Sequence, residues 1–289
     1  MATDAPPTLR IGLIGAGRVG IALARALQNH GHAIVAAHAV SENSRNRLAE
    51  FLPATDVVSI EKLIEVSQTI LLTVPDDVLP DLVRGIAKTI GFKKHQFVIH
   101  TSGRFGTEVL APAQIQGALT MAIHPAMTFT GEPADVDRLN GCPFAITSTE
   151  ELIPIAAALV LNMGGREYFV AEENRALYHA ALSHAANHVN TIINQSKSAL
   201  SNIGISDPGL FLTPLVQTAV ENSLTKGIEA LTGPISRGDV ETVRAHLIAI
   251  ENTEIEQSYK ALAKATVERL IATNRISNSA ALEMLEILK

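Results

Sequence analysis

A glycine-rich segment near the N-terminus has the composition and spacing of a phosphate-binding turn. It lies between a short apolar run at residues 9–14 and a stretch with helical spacing that extends to residue 29. In such a strand–turn–helix unit, the first glycine permits a tight turn, the second lets the backbone approach a pyrophosphate, and the third lets helix and strand pack closely. The anion then lies against the helix N-terminus. A dinucleotide site is predicted here, with a purely structural turn as the alternative, over Gly15, Ala16, Gly17, Arg18, Val19 and Gly20.

The residues after the second apolar run, at 33–40, indicate which dinucleotide fits better. A protein that binds NAD usually offers Asp or Glu about 20 residues beyond the glycines, where it binds the ribose hydroxyls. Residues 36–41 contain no acid. Hydroxyl and guanidinium groups follow and can hold a 2′-phosphate, so the sequence favours NADP and leaves NAD possible. The alternative is that the arginines are solvated helix residues, with Glu42 beside them, in the group Ser41, Ser44, Arg45 and Arg47.

Three further apolar runs end in residues that can take part in chemistry. Ligands of open parallel sheets lie beyond the carboxyl ends of the strands. Hydride transfer to a carbonyl or imine needs a proton donor, and His124 is the first candidate because imidazole titrates near neutral pH. The alternative for His124 is a turn histidine before proline, and for Asp76 and Asp77 helix capping is the favoured interpretation. The three strand ends are Pro75-Asp76-Asp77, His100-Thr101-Ser102-Gly103 and His124-Pro125.

A helical segment that begins near residue 172 carries a dense group of polar side chains. Residues four apart share one face of a helix, so His179, Ser183 and Asn187 lie on one face, and His184 and His188 lie on a neighbouring one. A histidine pair with this spacing can bind a metal, but neither a carboxylate nor a cysteine accompanies it, and no metal is predicted. Polar packing at a domain or dimer interface is the alternative. The full group is Tyr178, His179, Ser183, His184, Asn187 and His188.

A glycine- and proline-containing loop at residues 231–238 adds one more candidate. Its Arg237 can bind a substrate carboxylate through the planar guanidinium group. Equally, Arg237 can be structural, and Asp239 is expected to cap the helix that follows. Lys226 is a weaker candidate, and the single cysteine, Cys142, is expected to be inert in its apolar context.

The elements that position these residues fall into two parts. Apolar runs that alternate with helical segments up to residue 170 predict a parallel sheet covered on both faces. After residue 170 the pattern is helical, with predicted helices at 172–202, 209–228, after Asp239, at 254–273 and at 279–288. We therefore predict an α/β Rossmann domain, with a doubly wound and mainly parallel sheet, at 1–170. An all-α domain is predicted at 171–289.

Composition excludes several classes of protein. The 289 residues carry a formal net charge of -6 without a basic cluster, which argues against a nucleic-acid partner. No apolar stretch approaches the ~20 residues that span a bilayer, so no membrane partner is expected. One cysteine and no signal-peptide pattern at the start predict a cytoplasmic location. An apolar helical domain of this size is expected to complete its core against a second copy, which predicts a homodimer.

Taken together, these motifs resemble a family of Rossmann-like oxidoreductases that carry a helical C-terminal domain of unknown function. The architecture is also similar to that of prephenate dehydrogenases, pyrroline-5-carboxylate reductases, ketopantoate reductases and β-hydroxyacid dehydrogenases. The resemblance implies that the all-α C-terminal domain of this chain is of the 6-phosphogluconate-dehydrogenase-like type. The segments that carry the resemblance are LIGAGRVG (13–20), TVPDDVL (73–79), IHTSGRFGTEVL (99–110), IHPAMTF (123–129), RALYHAALSHAANH (175–188) and EALTGPISRGDVETVRAHL (229–247).

The resemblance implies roles for several residues. Val74 and Pro75 would line the nicotinamide pocket. His124 resembles the histidine of prephenate dehydrogenases that contacts the reacting hydroxyl, and Ser102 resembles a serine that supports it. β-Hydroxyacid dehydrogenases and ketopantoate reductases place a catalytic lysine four residues before an asparagine. Ser183 stands at that position before Asn187, which shifts the proton-transfer role to His124, His179 or His184.

The expected function follows from the glycine loop, the His-Pro strand end and the polar helix. We expect an NADP-dependent oxidoreductase that transfers a hydride to or from a small carboxylate-bearing oxo, imino or hydroxy compound. His124 would be its acid/base, and Arg237 and Tyr178 would contact the substrate. The alternative is a regulatory protein that senses NADP(H) without turnover.

Overall fold

A seven-stranded sheet forms the centre of the first part of the chain. The computed structural model describes residues 8–289. The strands lie side by side in the order β2-β1-β3-β4-β5-β6-β7. Their bounds are β1 Arg10–Ile14, β2 Ala33–His38, β3 Thr69–Leu72, β4 Phe97–His100, β5 Leu119–Pro125, β6 Pro143–Thr147 and β7 Arg166–Phe169.

Strand pairing confirms the predicted, mainly parallel sheet. Strands β1 to β5 pair in parallel, β6 is antiparallel to β5, and β7 is parallel to β6. Successive residues of one strand point to opposite faces. In β1, Leu13 packs into one apolar cluster and Ile14 into a second, and in β3 Leu71 and Leu72 divide in the same way. Both faces of the central strands are therefore buried, which explains their nearly continuous apolar sequence.

Twelve α-helices complete the described part of the chain. Helices α1 to α7 alternate with the strands, and α8 to α12 follow the sheet, so the predicted change from an α/β to an all-helical pattern is confirmed. Their bounds are α1 Arg18–Asn29, α2 Glu42–Phe51, α3 Ile60–Val66, α4 Leu79–Thr89, α5 Ala111–Ile115, α6 Ala134–Arg138, α7 Ile153–Asn162, α8 Arg175–Asn202, α9 Pro208–Lys226, α10 Val240–Ala249, α11 Glu256–Ala272 and α12 Asn278–Ile287.

Helix starts test two of the capping interpretations. Asp239 caps α10, because its carboxylate accepts the backbone N–H of Thr242, and that prediction is confirmed. The capping interpretation of Asp76 and Asp77 is wrong. Helix α4 begins at Leu79 after Val78, and no side chain caps it. The chain makes a turn between β3 and α4, so the helix starts two residues later than the acidic pair suggested.

The chain divides into two compact units, of which the first ends at Ser183 and the second runs from His184 to Lys289. The predicted boundary near residue 170 corresponds to the end of β7. The first unit continues into α8 because Arg175 and Tyr178, at the start of this helix, make hydrogen bonds to residues of β5 and β6.

The second unit has a small apolar cluster of its own. Buried residues of α10, α11 and α12 form it, among them Val243, Val267 and Met284. Across residues 8–289, no helix is both long enough and apolar enough to cross a membrane.

Candidate active site

The glycine loop forms the turn between β1 and α1 and has the geometry that its sequence predicts. Gly15 adopts a positive φ of 97°, and its N–H donates to the carbonyl of His38 at the end of β2 (3.0 Å). A Cβ at Gly15 would lie 2.9 Å from the carbonyl oxygen of Thr73, so only glycine fits the turn without strain.

The other two glycines of the loop differ in how much space surrounds them. A Cβ at Gly20 would lie 2.2 Å from the Thr73 hydroxyl and 2.3 Å from the carbonyl oxygen of Gly15, so this glycine is required for close packing of helix and strand. A Cβ at Gly17 would meet no atom of the described chain within 4 Å. Gly17 is also the N-cap of α1, where no side chain caps the helix and no acid occupies the first turn. The N-terminus of α1 is therefore open to an anion.

The end of β2 leads into the first turn of α2, which carries the residues predicted to bind the 2′-phosphate. Ser41 caps α2 by accepting the N–H of Ser44 (3.2 Å), and its hydroxyl donates to that of Ser44 (2.9 Å). The exposed guanidinium of Arg45 donates to the carbonyl of Val40 (2.6 Å). These side chains share one helix start, and Glu42 lies in the same turn.

The end of β3 contacts the glycine loop directly. The Thr73 hydroxyl donates to the carbonyl of Gly15, and the Val74 side chain lies 3.1 Å from the position that a Cβ of Gly15 would occupy. Val74 and the adjacent Pro75 therefore lie beside the glycine turn.

A tight loop at the end of β4 is braced by His100. The buried imidazole donates from Nε2 to the carbonyl of Gly106 (2.7 Å) and accepts the N–H of Ser102 at Nδ1 (3.1 Å). Burial lowers the pKa of His100 to about 4, although the Gly106 carbonyl opposes this shift. The buried Ser102 accepts the N–H groups of Arg104 and Phe105 (both 3.2 Å). Both side chains therefore order this loop.

His124, near the end of β5, forms the centre of a ring cluster with α8. Its Nδ1 lies 2.8 Å from the hydroxyl of Tyr178, and the two rings meet edge-on, with centroids 5.6 Å apart. The ring of His179 is also edge-on, at 6.3 Å. Burial, followed by the nearby charge of Arg175, lowers the pKa of His124 to about 3. The imidazole is therefore neutral at physiological pH.

The loop after β4 approaches this cluster closely at a glycine. A Cβ on Gly103 would lie 2.9 Å from His124 Nε2 and 2.8 Å from His179 Cδ2. Real Cβ atoms do not approach other atoms so closely, so glycine at this position lets the backbone lie against both imidazoles. Sequence analysis included Gly103 only as the end of a strand motif.

Sequence analysis did not single out Arg175, which the structure buries beneath the ring cluster. Its side chain is 1% exposed, and its guanidinium carbon lies 5.8 Å from the centre of the Tyr178 ring. A signal was present in the sequence, because a cation in the first turn of a helix opposes the helix dipole and calls for a specific partner.

The remaining candidate residues make contacts outside the ring cluster. His184 and His188 contact each other through their Nδ1 atoms (2.7 Å) on an exposed face of α8, and Asn187 is exposed. The exposed Arg237 donates to the carbonyl of Thr232 within its own loop. Among residues 8–289, no group of three or more His, Cys, Asp or Glu side chains is arranged to hold a metal ion.

Comparison with family models divides the chain in two. Residues 2–125 match a Rossmann-like domain, and residues 142–266 match a domain of unknown function, DUF2520. The chain joins a Rossmann-like domain to a DUF2520 domain. The predicted family resemblance is thereby confirmed. The ring cluster is built from both matches, since His124 belongs to the Rossmann-like segment and Arg175, Tyr178 and His179 belong to the DUF2520 segment.

Solved structures share the fold. A Bacteroides fragilis protein provisionally described as an NADP oxidoreductase is 22% identical, with 90% of this chain and 98% of that chain covered and a TM-score of 0.74. An imine reductase from a Pseudomonas species is 15% identical, with 98% and 100% covered and a TM-score of 0.65. A 1-pyrroline-5-carboxylate reductase from Streptococcus pyogenes is 19% identical, with 92% and 99% covered and a TM-score of 0.61. A search of curated protein sequences finds no match.

Proposed function

We propose that this protein is an NADP-dependent oxidoreductase that transfers a hydride to or from a small carboxylate-bearing oxo, imino or hydroxy compound. The glycine loop carries the proposal. Gly15 and Gly20 are required by the protein's own packing, whereas Gly17 faces open space at an uncapped helix N-terminus. The solved structures named above, described as an NADP oxidoreductase, an imine reductase and a pyrroline-5-carboxylate reductase, agree with it.

The described residues fit the proposed cofactor. Backbone N–H groups over residues 15–20 would hold the pyrophosphate, Ser41 and Arg45 would hold the 2′-phosphate, and Val74 and Pro75 would line the nicotinamide. Bound there, the nicotinamide would supply or accept the hydride. NAD remains possible, because Glu42 lies in the same helix turn as the proposed phosphate ligands.

The proton for the reaction is proposed to move through His124 and Tyr178. A neutral imidazole can accept from or donate to the phenol through Nδ1, depending on its tautomer. In the direction of reduction, the Tyr178 hydroxyl would give its proton to the substrate oxygen or nitrogen. His124, in the tautomer with hydrogen on Nδ1, would stabilise the phenolate. Ser102 would support both by ordering the loop that carries Gly103.

The other proposed site residues have supporting roles. His179 would shape the pocket beside His124, and Arg237 would bind the substrate carboxylate. His184 and Asn187 are proposed as further catalytic groups of the DUF2520 domain. Replacement of His124 by Ala tests the central assignment, since unchanged turnover of an identified substrate would show that His124 has no part in proton transfer.

Titration with NADPH and NADH tests the cofactor proposal. Gly17→Val should leave the thermal midpoint within about 1 °C of the wild type, because the space is open, and should weaken NADPH binding at least about a hundredfold. Gly85→Val is the matched control, since Gly85 also meets open space but lies in α4. Arg45→Gln should weaken NADPH about tenfold and leave NADH unchanged.

Each other result of the titrations has a distinct meaning. Tighter binding of NADH than of NADPH would contradict the 2′-phosphate assignment. Binding of neither would show that the glycine loop is structural, and the oxidoreductase proposal would fail.

A second candidate is an NADP(H)-binding sensor without turnover. Ser183, at the position of a catalytic lysine in related enzymes, favours it. NADPH binding with no hydride exchange across a broad library of oxo acids and imines would support the sensor over the enzyme.

We also propose that the protein is a homodimer held together by its helical unit. Helix α9 supports this proposal, because none of its residues is buried although many are apolar. Its large apolar side chains that are at least 60% exposed are Leu210, Phe211, Leu215 and Leu224. Apolar side chains at this density favour a covering surface, and a second copy of the chain supplies one.

A further inference from the structure

Arg175 is a buried cation that makes no ion pair within residues 8–289. Its Nε donates to the hydroxyl of Thr147 (2.7 Å), and its Nη2 donates to the carbonyls of Ala122 (3.2 Å) and Ala145 (3.1 Å). Its Nη1 is buried and has no partner among residues 8–289. Burying a charge without a counter-ion costs several kcal/mol, so a buried arginine is normally paired.

The acid whose charge acts on Arg175 is Glu172, and its carboxylate is hydrogen-bonded elsewhere. Glu172 lies one turn before Arg175 and uses its carboxylate to accept the N–H and hydroxyl of Thr107 and the N–H of Glu108. Within the described chain, no ion pair includes Arg175. Its positive charge therefore acts on the groups around it.

These groups are the rings of the candidate active site. Arg175, Tyr178 and His179 face His124 from α8, and His100 faces it from β4. None of the four is an anion at neutral pH. A proton on His124 would place a second positive charge beside Arg175 in this partly buried cluster. The carboxylate of Glu172 acts on Arg175 and that of Asp76 acts on His100.

We propose that Arg175 is a positioning residue, whose buried guanidinium is anchored to β5 and β6 and lies against Tyr178. It disfavours a second positive charge on His124, so that the imidazole beside Tyr178 stays neutral. A charged imidazole could only donate to the phenol, and it would release its own proton first. With Arg175 in place, the proton available to substrate is that of the Tyr178 hydroxyl. The same cation stabilises the phenolate left after the transfer. This role in the reaction rests on the proposed function, whereas the effect on His124 does not.

The experiment measures the protonation of His124 by ¹⁵N NMR of the full-length, histidine-labelled protein without cofactor or substrate. The His124 signals are assigned by their loss in His124→Gln. The titration runs from pH 8 down to about pH 3.5, and in the wild type His124 should remain neutral down to about pH 4. In Arg175→Met, its titration midpoint should rise by about one pH unit or more, because the opposing charge is gone. Arg175→Lys, which retains the charge, should behave like the wild type.

A second uncharged variant protects the test against misfolding. Arg175→Gln keeps a donor for Thr147 and lacks the charge, so its His124 midpoint should rise as in Arg175→Met. An unchanged midpoint in the folded uncharged variants, even with a lower thermal midpoint, would show that Arg175 is merely structural and would overturn the proposal. Wild-type titration near pH 6.5 would overturn it as well.

Catalysis supplies an independent readout. Once a substrate is identified, wild-type kcat should be flat from pH 8 to about pH 4.5, and Arg175→Gln should lose activity at the acid end of this range, as the pH approaches the raised midpoint of His124. If neither NADPH nor NADH binds, the proposed function fails while the NMR result stands. If the cofactor binds and the midpoint does not move, the inference about Arg175 alone fails.

Discussion

The two units of the molecule differ in how completely each buries its own apolar residues. In the first unit, two large clusters take up both faces of the sheet, and nearly every residue of β1, β3 and β4 is buried. In the second unit, the apolar cluster has seven buried residues, six in α10 to α12 and the seventh, Leu288, directly after α12. Helix α9 has no buried residue, and the only buried residue of α8 is Arg175, which lies in the first unit.

This difference in burial determines which unit can hold side chains in fixed positions and which unit has an apolar surface left to cover. A residue on a fully buried scaffold is held by packing from several sides, so the first unit can hold a neutral imidazole, a phenol and an unpaired guanidinium in fixed contact. A helix with an apolar, uncovered surface gains stability only when something covers it. The exposed apolar residues of α9 are therefore the observation that supports the proposed dimer.

The largest predicted effect is the loss of dimerisation when negative charge is introduced on α9. Phe211 and Leu215 are four residues apart and lie on one face, so the double change Phe211→Glu and Leu215→Glu should abolish dimerisation. Light scattering should give twice the chain mass of 30.7 kDa for the wild type and the chain mass for the variant. Ile115→Glu is the control, because Ile115 is 86% exposed but isolated in the first unit, and it should stay dimeric. A monomeric wild type would refute the dimer.

The second largest predicted effect is a decrease in the unfolding free energy of the first unit when the pH is lowered. The native pKa values of His100 and His124 are about 4 and about 3, below the value near 6.5 of an unfolded chain. Below pH 6.5 the unfolded state therefore binds protons that the native state does not, and stability falls as the pH falls. Between pH 6.5 and 5, each histidine should cost about 2 kcal/mol of unfolding free energy.

Tyrosine fluorescence can follow this loss in the first unit alone. The chain has no tryptophan and three tyrosines, of which only Tyr259 lies in the second unit. Urea unfolding of Tyr259→Phe should show a loss of about 4 kcal/mol from pH 7 to pH 5 and little change from pH 7 to pH 8. His124→Gln should halve the loss. A stability that is constant down to pH 5 would contradict the neutral state of both imidazoles.

A methyl group at Gly103 should have the smallest effect on folding and a clear effect on catalysis. Gly103→Ala forces His124 and His179 to shift, which should lower kcat about tenfold, or ~1.4 kcal/mol, while the unfolding free energy changes by less than about 1 kcal/mol. Gly85→Ala, in the interior of α4, has open space around it and should leave kcat unchanged while it raises the unfolding free energy by up to about 1 kcal/mol. Full activity of Gly103→Ala would mean that the position of these imidazoles does not limit the reaction.

Much of the fold could be predicted from local pattern. The apolar runs at 9–14 and 33–40 were recognisable as strands because each is short and continuous beside a helical segment, and the structure has β1 and β2 there. Asp239 was identified as a cap because a carboxylate before a helix has one common use. The same rule failed at Asp76 and Asp77, since the length of the turn before α4 depends on where the helix packs.

The candidate site was predictable only in part. His124 and Tyr178 were each chosen for their chemistry, but their hydrogen bond joins residues 54 apart in sequence.

The short α2 to α6 lacked a pattern strong enough to assign individually, because a helix of five to eleven residues shows few turns of apolar spacing.

The sequence by itself determined the glycine turn, the order of strands and helices, and the set of side chains available for chemistry. Each of these depends on backbone freedom or on apolar spacing between near neighbours. Only the tertiary structure decided that His124 is neutral, that Gly103 lies against two imidazoles, and that Arg175 is buried beneath them without an acid. These properties arise from burial and from charges brought together across three elements, and the energy of a buried charge depends on every group within a few ångströms, whatever its position in the chain.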